Sequence, residues 1–216
     1  MRILYRILIA TLGAIVLFVT GICGWLFFYA EDLPDFYQLS RFTPSVEVIV
    51  SDPCLERPST VIPFNRIGKP VRDALAAAEQ ARSISYWIAR GLVGCNQRLK
   101  NLRYQLNSLR LSWHIRRHFS DEQIFTIYAN QAYFGGGATG VKDASVAYFH
   151  KDPDALSIAE AALLVGLLRS PERFSPYKHP ERALQRRSEV LQAMVNQRKI
   201  SANEAANAER VPIPTR

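Results

Sequence analysis

EQIFTIYANQAYFGGGATGV, residues 122–141, is the stretch that decides how this chain is read. Ile124, Ile127, Tyr128 and Ala132 recur at helical spacing, so the segment opens as an amphipathic helix. Ser120 and Gln123 in front of it form a capping box. A polar Asn130, two aromatics (Tyr133 and Phe134) and three glycines then interrupt the pattern. Glycine adopts backbone angles that other residues avoid, so the polar Asn130 and the two aromatics stand just before a backbone free to bend.

Working outward, the pattern is helical from Pro70 almost to the end, which makes the fold class mainly α. Pro70 suits a first helical position, VRDALAAAEQARSISYWIARG continues it, and Gly91 reads as its stop. The following helix places Leu99, Leu102, Leu106, Leu109 and Trp113 on one face. Two more capping boxes pair Ser157 with Glu160 and Ser201 with Glu204. SIAEAALLVGLL is apolar nearly all round and is predicted to be the central buried helix. PERALQRRSEVLQAMVNQRK predicts an amphipathic helix with a basic outer face. Residues 31–69 read as an extended linker: prolines 33, 44, 53, 58 and 63 punctuate it, and SVEVIVSD alternates like a strand. The helical domain is then 70–216.

Residues 1–30 read as a single-pass membrane anchor. Ile7 to Ala30 holds no charge, and as a helix it spans roughly 36 Å against about 30 Å of bilayer hydrocarbon. Arg2 and Arg6 precede the run and Glu31 and Asp32 follow it, so the positive-inside rule leaves the N-terminus in the cytoplasm and the rest outside. The run is too long for a usual signal-peptide core, and no small-x-small site precedes Glu31. The protein is thus expected in the cytoplasmic membrane, with its helical domain periplasmic or otherwise extracytoplasmic. All 19 acidic residues and 25 of the 27 basic ones lie beyond residue 30, a net +6 that favours an anionic partner. Outside the cytoplasm, nucleic acid is not that partner. Of the three cysteines, Cys54 and Cys95 are free to pair in an oxidising space.

Three short motifs are set aside. Gly135, Gly137 and Gly140 fit a dinucleotide-binding spacing, but a helix precedes them and no βαβ unit surrounds them. His114 and His118 sit one turn apart, with Ile and two Arg between them and no general-base Glu, so they read as a surface pair rather than a zinc clamp. SPYK at 175–178 matches a penicillin-binding S-x-x-K but lies among prolines and lacks its partner motifs.

From Ile124 to Pro176, and on through RRSEVLQAM, the chain resembles the peptidoglycan glycosyltransferases, glycosyltransferase family 51. Arg186, Val190 and Leu191 fit that family's R-x-x-x-V-L segment. The resemblance implies a lysozyme-like helical fold with a cleft facing the membrane and, as substrate, a lipid-linked peptidoglycan precursor (lipid II). A sugar 4-hydroxyl attacks an anomeric carbon and a lipid pyrophosphate leaves. By similarity Tyr128, Asn130, Tyr133 and Gly135 shape a cleft wall, Glu79 is the base, and Gln97, Lys100, Asn101 and Arg186 hold substrate. Family members often work with a divalent ion such as Mg²⁺ on the pyrophosphate, and other cell-wall synthesis proteins are implied as partners.

The chain departs from the family at its active edge. Where the first motif reads E-D-x-x-F-x-x-H-x-G, Gln80, Ser83, Tyr86 and Ile88 replace Asp, Phe, His and Gly. The second motif, G-G-S-T-I-T-Q-Q-L-x-K-N, is reduced to RGLVGCNQRLKN, with Gly91, Gln97, Lys100 and Asn101 in agreement. Ser108 falls where the third, R-K-x-x-E, carries the second glutamate, and both intervals are short. These losses predict impaired chemistry, or a catalytically inactive membrane-anchored scaffold of the wall-synthesis machinery.

Overall fold

The computed structural model describes residues 2–28, 60–79, 81–96 and 102–215. Helix α1 (Arg2–Phe28) is unbroken. Its side chains from Ile9 to Trp25 stand exposed, Leu17 at 74% and Phe18 at 70%. Side chains 7, 8 and 26–28 lie outside the described set, and within the described residues no helix is long and apolar enough to cross a membrane. The expected strand at 45–52 also lies outside the described residues.

The packed body begins with a 3₁₀ turn (Phe64–Arg66) and α2 (Lys69–Ala78). Ile67 is fully buried, and Ile62 and Phe64 pack against the core. Gly68 lies so close to the second 3₁₀ turn (Pro153–Ala155) that a Cβ there would meet the Pro153 carbonyl oxygen at 2.4 Å. The single helix expected from Pro70 to Gly91 is in fact two. The backbone turns extended at Glu79 (φ −126°, ψ 132°), and α3 (Ala81–Asn96) then runs straight through Gly91. A mid-helix glycine costs about 1 kcal/mol. Burial of Ile84, Ile88, Leu92 and Val93 outweighs that cost and carries the helix past it.

Helix α4 (Leu102–His118) packs along α3. Its buried residues are Tyr104, Asn107, Ser108, Leu111 and Ile115, whereas Leu102, Leu109 and Trp113 are more than half exposed. Of the apolar face read from sequence, Leu102, Leu109 and Trp113 thus point outward and Leu106 is half-buried, while Leu99 lies outside the described residues. Helix α5 (Asp121–Gln131) leads into β1 (Tyr133–Gly135) and β2 (Ala138–Thr139), an antiparallel hairpin pairing Tyr133 with Thr139. Then come α6 (Val141–Phe149), α7 (Ile158–Leu167), α8 (Pro180–Asn196) and α9 (Ala202–Glu209). All three predicted capping boxes form, at the starts of α5, α7 and α9.

α7 is buried nearly throughout, as its all-round apolar sequence requires. α2 and α8 pack on it and on each other, and together they make the centre of the body. α8 does not carry a simple basic outer face, because Arg186 and Arg187 are buried at 8% and 2% exposure. The Arg187 guanidinium donates to the carbonyls of Glu209 and Val211, both at 2.7 Å, which ties the C-terminal segment down.

Candidate functional site

Glu79 caps the C-terminal end of α2. Its N–H closes the last helical bond to Leu75, and its own backbone is extended, which ends the helix there. The carboxyl is half-buried. Removal from water raises its pKa above the ordinary value, and the guanidiniums of Arg186 and then Arg169 pull it back down. Two cations from separate elements, α8 and the turn after α7, thus lie within electrostatic reach of one carboxylate. Tyr128 of α5 completes the group. Its phenol is buried and held far above the usual value, first by desolvation and then by the charge on Glu79. Trp87 of α3 closes on Tyr128 edge to face, with ring centres 5.0 Å apart.

Arg186 reaches this position because α7 offers no side chain at Gly166. A Cβ there would meet the Arg186 Cγ at 3.1 Å. The Arg186 Nη1 donates to Glu189 Oε2 at 2.8 Å, while its buried Nε has no hydrogen-bond partner among the described residues.

The opening stretch resolves differently from its neighbours. Asn130 is buried, and its carboxamide grips backbone: Oδ1 accepts from Ile62 N–H at 2.9 Å, and Nδ2 donates to the carbonyls of Ile62 at 2.9 Å and Thr126 at 2.8 Å. It laces the segment before α2 to α5. The three glycines are no loose hinge but a tight turn, with φ of 89°, 63° and 82° at Gly135, Gly136 and Gly137. Tyr133, partly exposed, accepts the Gly137 N–H on its hydroxyl, and Tyr148 donates to the Phe134 carbonyl. Burial pushes the Tyr148 phenol up to about 12, with Tyr177, Tyr133 and Glu172 adding to the shift. At Gly135 a Cβ would lie 3.0 Å from Pro171 Cβ, so the hairpin braces the turn that carries Arg169.

The structure therefore brings Glu79, Arg186 and Tyr128 together and sets Tyr133 and Gly135 in a supporting cluster. Gln97, Lys100 and Asn101 lie outside the described residues, as do Cys54 and the side chain of Cys95. Arg169 was not singled out from sequence; one Arg following an apolar helix gives no signal of its target. Ser108, where the resemblance implies a second glutamate, is fully buried and donates to the Tyr104 carbonyl at 2.7 Å. The donor set around Glu79 does not fit a divalent ion. Magnesium takes several oxygen ligands, whereas one carboxylate here faces two guanidiniums. Among the described residues no other group of His, Cys, Asp or Glu gathers to hold one.

Comparison with known proteins identifies the family of the domain. Residues 81–195 match the family model described as Transglycosylase, which starts two positions after Glu79. Penicillin-binding protein 1A of Aquifex aeolicus is 29% identical over 243 residues, covering 96% of this chain and 34% of the relative. Penicillin-binding protein 1A of Rickettsia felis is 30% identical, covering 94% and 31%. Penicillin-binding protein 2a of Streptococcus pneumoniae (strain R6) reaches 41% identity over a shorter stretch, 47% of this chain and 14% of its own. The chain spans about a third of the length of the first two. Among solved structures, penicillin-binding protein 1A of Haemophilus influenzae superposes with a TM-score of 0.51 at 20% identity, over 73% of this chain and 18% of that one, a likeness of fold.

Proposed function

We propose, from the premise that this chain belongs to the transglycosylase family of peptidoglycan glycosyltransferases, that it binds the lipid-linked disaccharide precursor of the cell wall and turns it over slowly or not at all. One observation carries the reading: Glu79 shares its surroundings with Arg186 and Arg169. Glycosyl transfer onto a sugar hydroxyl needs a base for the acceptor proton and positive charge for the departing pyrophosphate. Glu79 would take the proton from the 4-hydroxyl as that oxygen bonds to the anomeric carbon. The bond from that carbon to the pyrophosphate breaks, and Arg186 and Arg169 meet the leaving charge. A raised carboxyl pKa suits a group that must accept a proton near neutrality. Gln97, Lys100 and Asn101 are proposed as further substrate contacts from their motif positions, with Tyr133 and Gly135 shaping the wall.

Impaired chemistry is supported by Ser108. Its hydroxyl is spent on the Tyr104 carbonyl inside the α3–α4 packing. Loss of one preorganised electrostatic group commonly costs on the order of 100- to 1000-fold in rate. The same observation favours a second reading, a scaffold that holds precursor without joining it.

The body would work at the membrane surface, tethered by α1, whose sequence carries no charge from Ile7 to Phe28. Other wall-synthesis proteins would be its partners there. The test is to supply the purified full chain with lipid-linked disaccharide and to follow both binding and glycan chain formation. Product lost in Glu79→Gln supports the enzymatic reading, and micromolar binding without product selects the scaffold. Product formed equally by Glu79→Gln removes Glu79 as base, and no binding at all removes both readings.

A further inference from the structure

Trp87 takes no part in the proton transfer or in meeting the pyrophosphate, yet it stands next to the groups that do. It is 41% exposed on α3, although Ile84 and Ile88 of the same helix are buried. Its ring meets Tyr128 edge to face, with ring centres 5.0 Å apart, and this contact anchors the indole. Tyr128 is also the residue whose buried phenol feels the charge on Glu79. The open part of the indole is thus held one ring away from the candidate base. Trp87 falls on the unspecified position between the His and Gly of the first motif, so the resemblance implies no role for it. Its helical neighbours leave it uncovered. Residues four apart share a helix face, and each side chain leans over the turn before it. A side chain at 91 would lie over the indole, and Gly91 supplies none; the indole itself leans toward the small Ser83. Ser83, Trp87 and Gly91 are all exposed.

We infer that Trp87 is the platform on which a pyranose ring of the substrate stacks beside Glu79. The C–H groups of a sugar make one face of its ring apolar. Indole offers that face a flat, polarizable partner with little side-chain freedom to lose. Hydroxyls at the ring edge stay available to polar groups, as in sites where aromatic walls carry a few placed polar atoms. The substrate is then divided between two holds. Trp87 takes the sugar, and Arg186 and Arg169 meet the pyrophosphate. The inference rests on the reading of Glu79 as the base of a sugar-joining site and names the group that holds a ring next to it.

The test titrates the full chain in detergent micelles with two soluble probes, inorganic pyrophosphate and the disaccharide pyrophosphate freed of its lipid. Calorimetry gives both affinities, and the Trp87 signal is the fluorescence difference between wild type and Trp87→Phe. Stacking predicts that the disaccharide probe binds more tightly than pyrophosphate and changes the Trp87 signal saturably, whereas pyrophosphate leaves it unmoved. Trp87→Ala is expected to weaken the disaccharide probe roughly tenfold, the loss of one aromatic contact. Its pyrophosphate affinity should stay as in wild type, which certifies the fold. Trp87→Phe should recover part of the loss. Gly91→Gln lays a side chain over the indole, so it should lower disaccharide affinity while the melting temperature holds or rises. Equal disaccharide affinity in wild type and Trp87→Ala overturns the proposal. So does a disaccharide probe that binds no better than pyrophosphate or leaves the Trp87 signal unmoved. Loss of both affinities in Trp87→Ala would assign Trp87 to the fold and overturn it too. Failure here is separable from failure of the catalytic reading. Product formed equally by Glu79→Gln removes the base and leaves the stacking result standing, whereas an indifferent Trp87 beside product lost in Glu79→Gln does the reverse.

Discussion

Arg186 crosses Gly166 with its Cγ 3.1 Å from where a Cβ would stand and its backbone carbonyl carbon at 3.8 Å. α7 and α8 meet at this crossing, and it sets the path by which the guanidinium approaches Glu79. The substitution Gly166→Ala separates fold from site. Alanine gains about 1 kcal/mol of helix propensity over glycine. Displacing a packed arginine stem costs about 1–3 kcal/mol. The melting temperature should therefore change little or fall slightly. The Glu79 carboxyl, losing the larger of its two opposing cations, should titrate higher than in the wild type. Carboxyl-carbon NMR titration reads this directly, and an unmoved Glu79 would show that Arg186 gives way without leaving.

Asn130 is expected to matter first for stability. Asn130→Ala leaves the Ile62 N–H and carbonyl without their partner, while the Thr126 carbonyl keeps its helical bond, a loss of about 1–3 kcal/mol. Asn130→Asp should be worse, although it preserves the acceptor for Ile62. Its second oxygen would face two carbonyls where an amide now donates, and its charge would be buried. Urea unfolding of the three proteins checks the order, and an Asp variant as stable as the Ala variant would contradict it.

Much of the helical framework was legible because capping and periodicity are local. Ser120, Ser157 and Ser201 each announce a helix start through a residue three positions on, and α7 announces its burial by being apolar all round. Errors arose where tertiary packing overrides local signals. Gly91 is a helix stop by propensity, but the buried side chains of α3 carry the helix through it. The stripe from Leu102 to Trp113 has the periodicity of a core face. The face that is buried instead carries Asn107 and Ser108, a choice set by α3 and invisible in α4 itself. Glu79 is a candidate from motif register, and the side chains that surround it were only partly signalled by sequence. Arg186 belongs to a recognisable segment, whereas Arg169 joins the site through the end of another helix and has no spacing relation to Glu79.

The adjacent arginines of α8 should separate cleanly. Arg187 holds the carbonyls of Glu209 and Val211, so Arg187→Ala is expected to cost about 2–3 kcal/mol and to release the end of α9. Arg187→Lys should recover only part of this, since one ammonium cannot span two carbonyls as the planar fork does. Neither change should alter pyrophosphate affinity. Arg186→Ala should weaken pyrophosphate binding roughly tenfold, the loss of one charge-assisted contact. Calorimetric titration with pyrophosphate beside urea unfolding gives both readouts, and equal loss of affinity in both alanine variants would refute the division.

Glu79 should make stability depend on pH in a definite direction. Its folded-state pKa is raised, with burial outweighing Arg186 and Arg169. Between the unfolded and folded pKa values the native state therefore holds more of the proton than the unfolded chain does. Unfolding free energy then falls as pH rises through that window, and the penalty persists at neutral pH, where the carboxylate is ionised in both states. Gln at this position is uncharged at every pH and avoids the penalty. Glu79→Gln should accordingly be more stable than wild type at pH 7, and the two should converge at about pH 4, below the ordinary carboxylate value. Thermal melts of the pair from acid to neutral pH measure the difference. If the variant is instead less stable at pH 7, the two arginines win over desolvation, and Glu79 is held as an ion-pair anchor rather than poised to accept a proton.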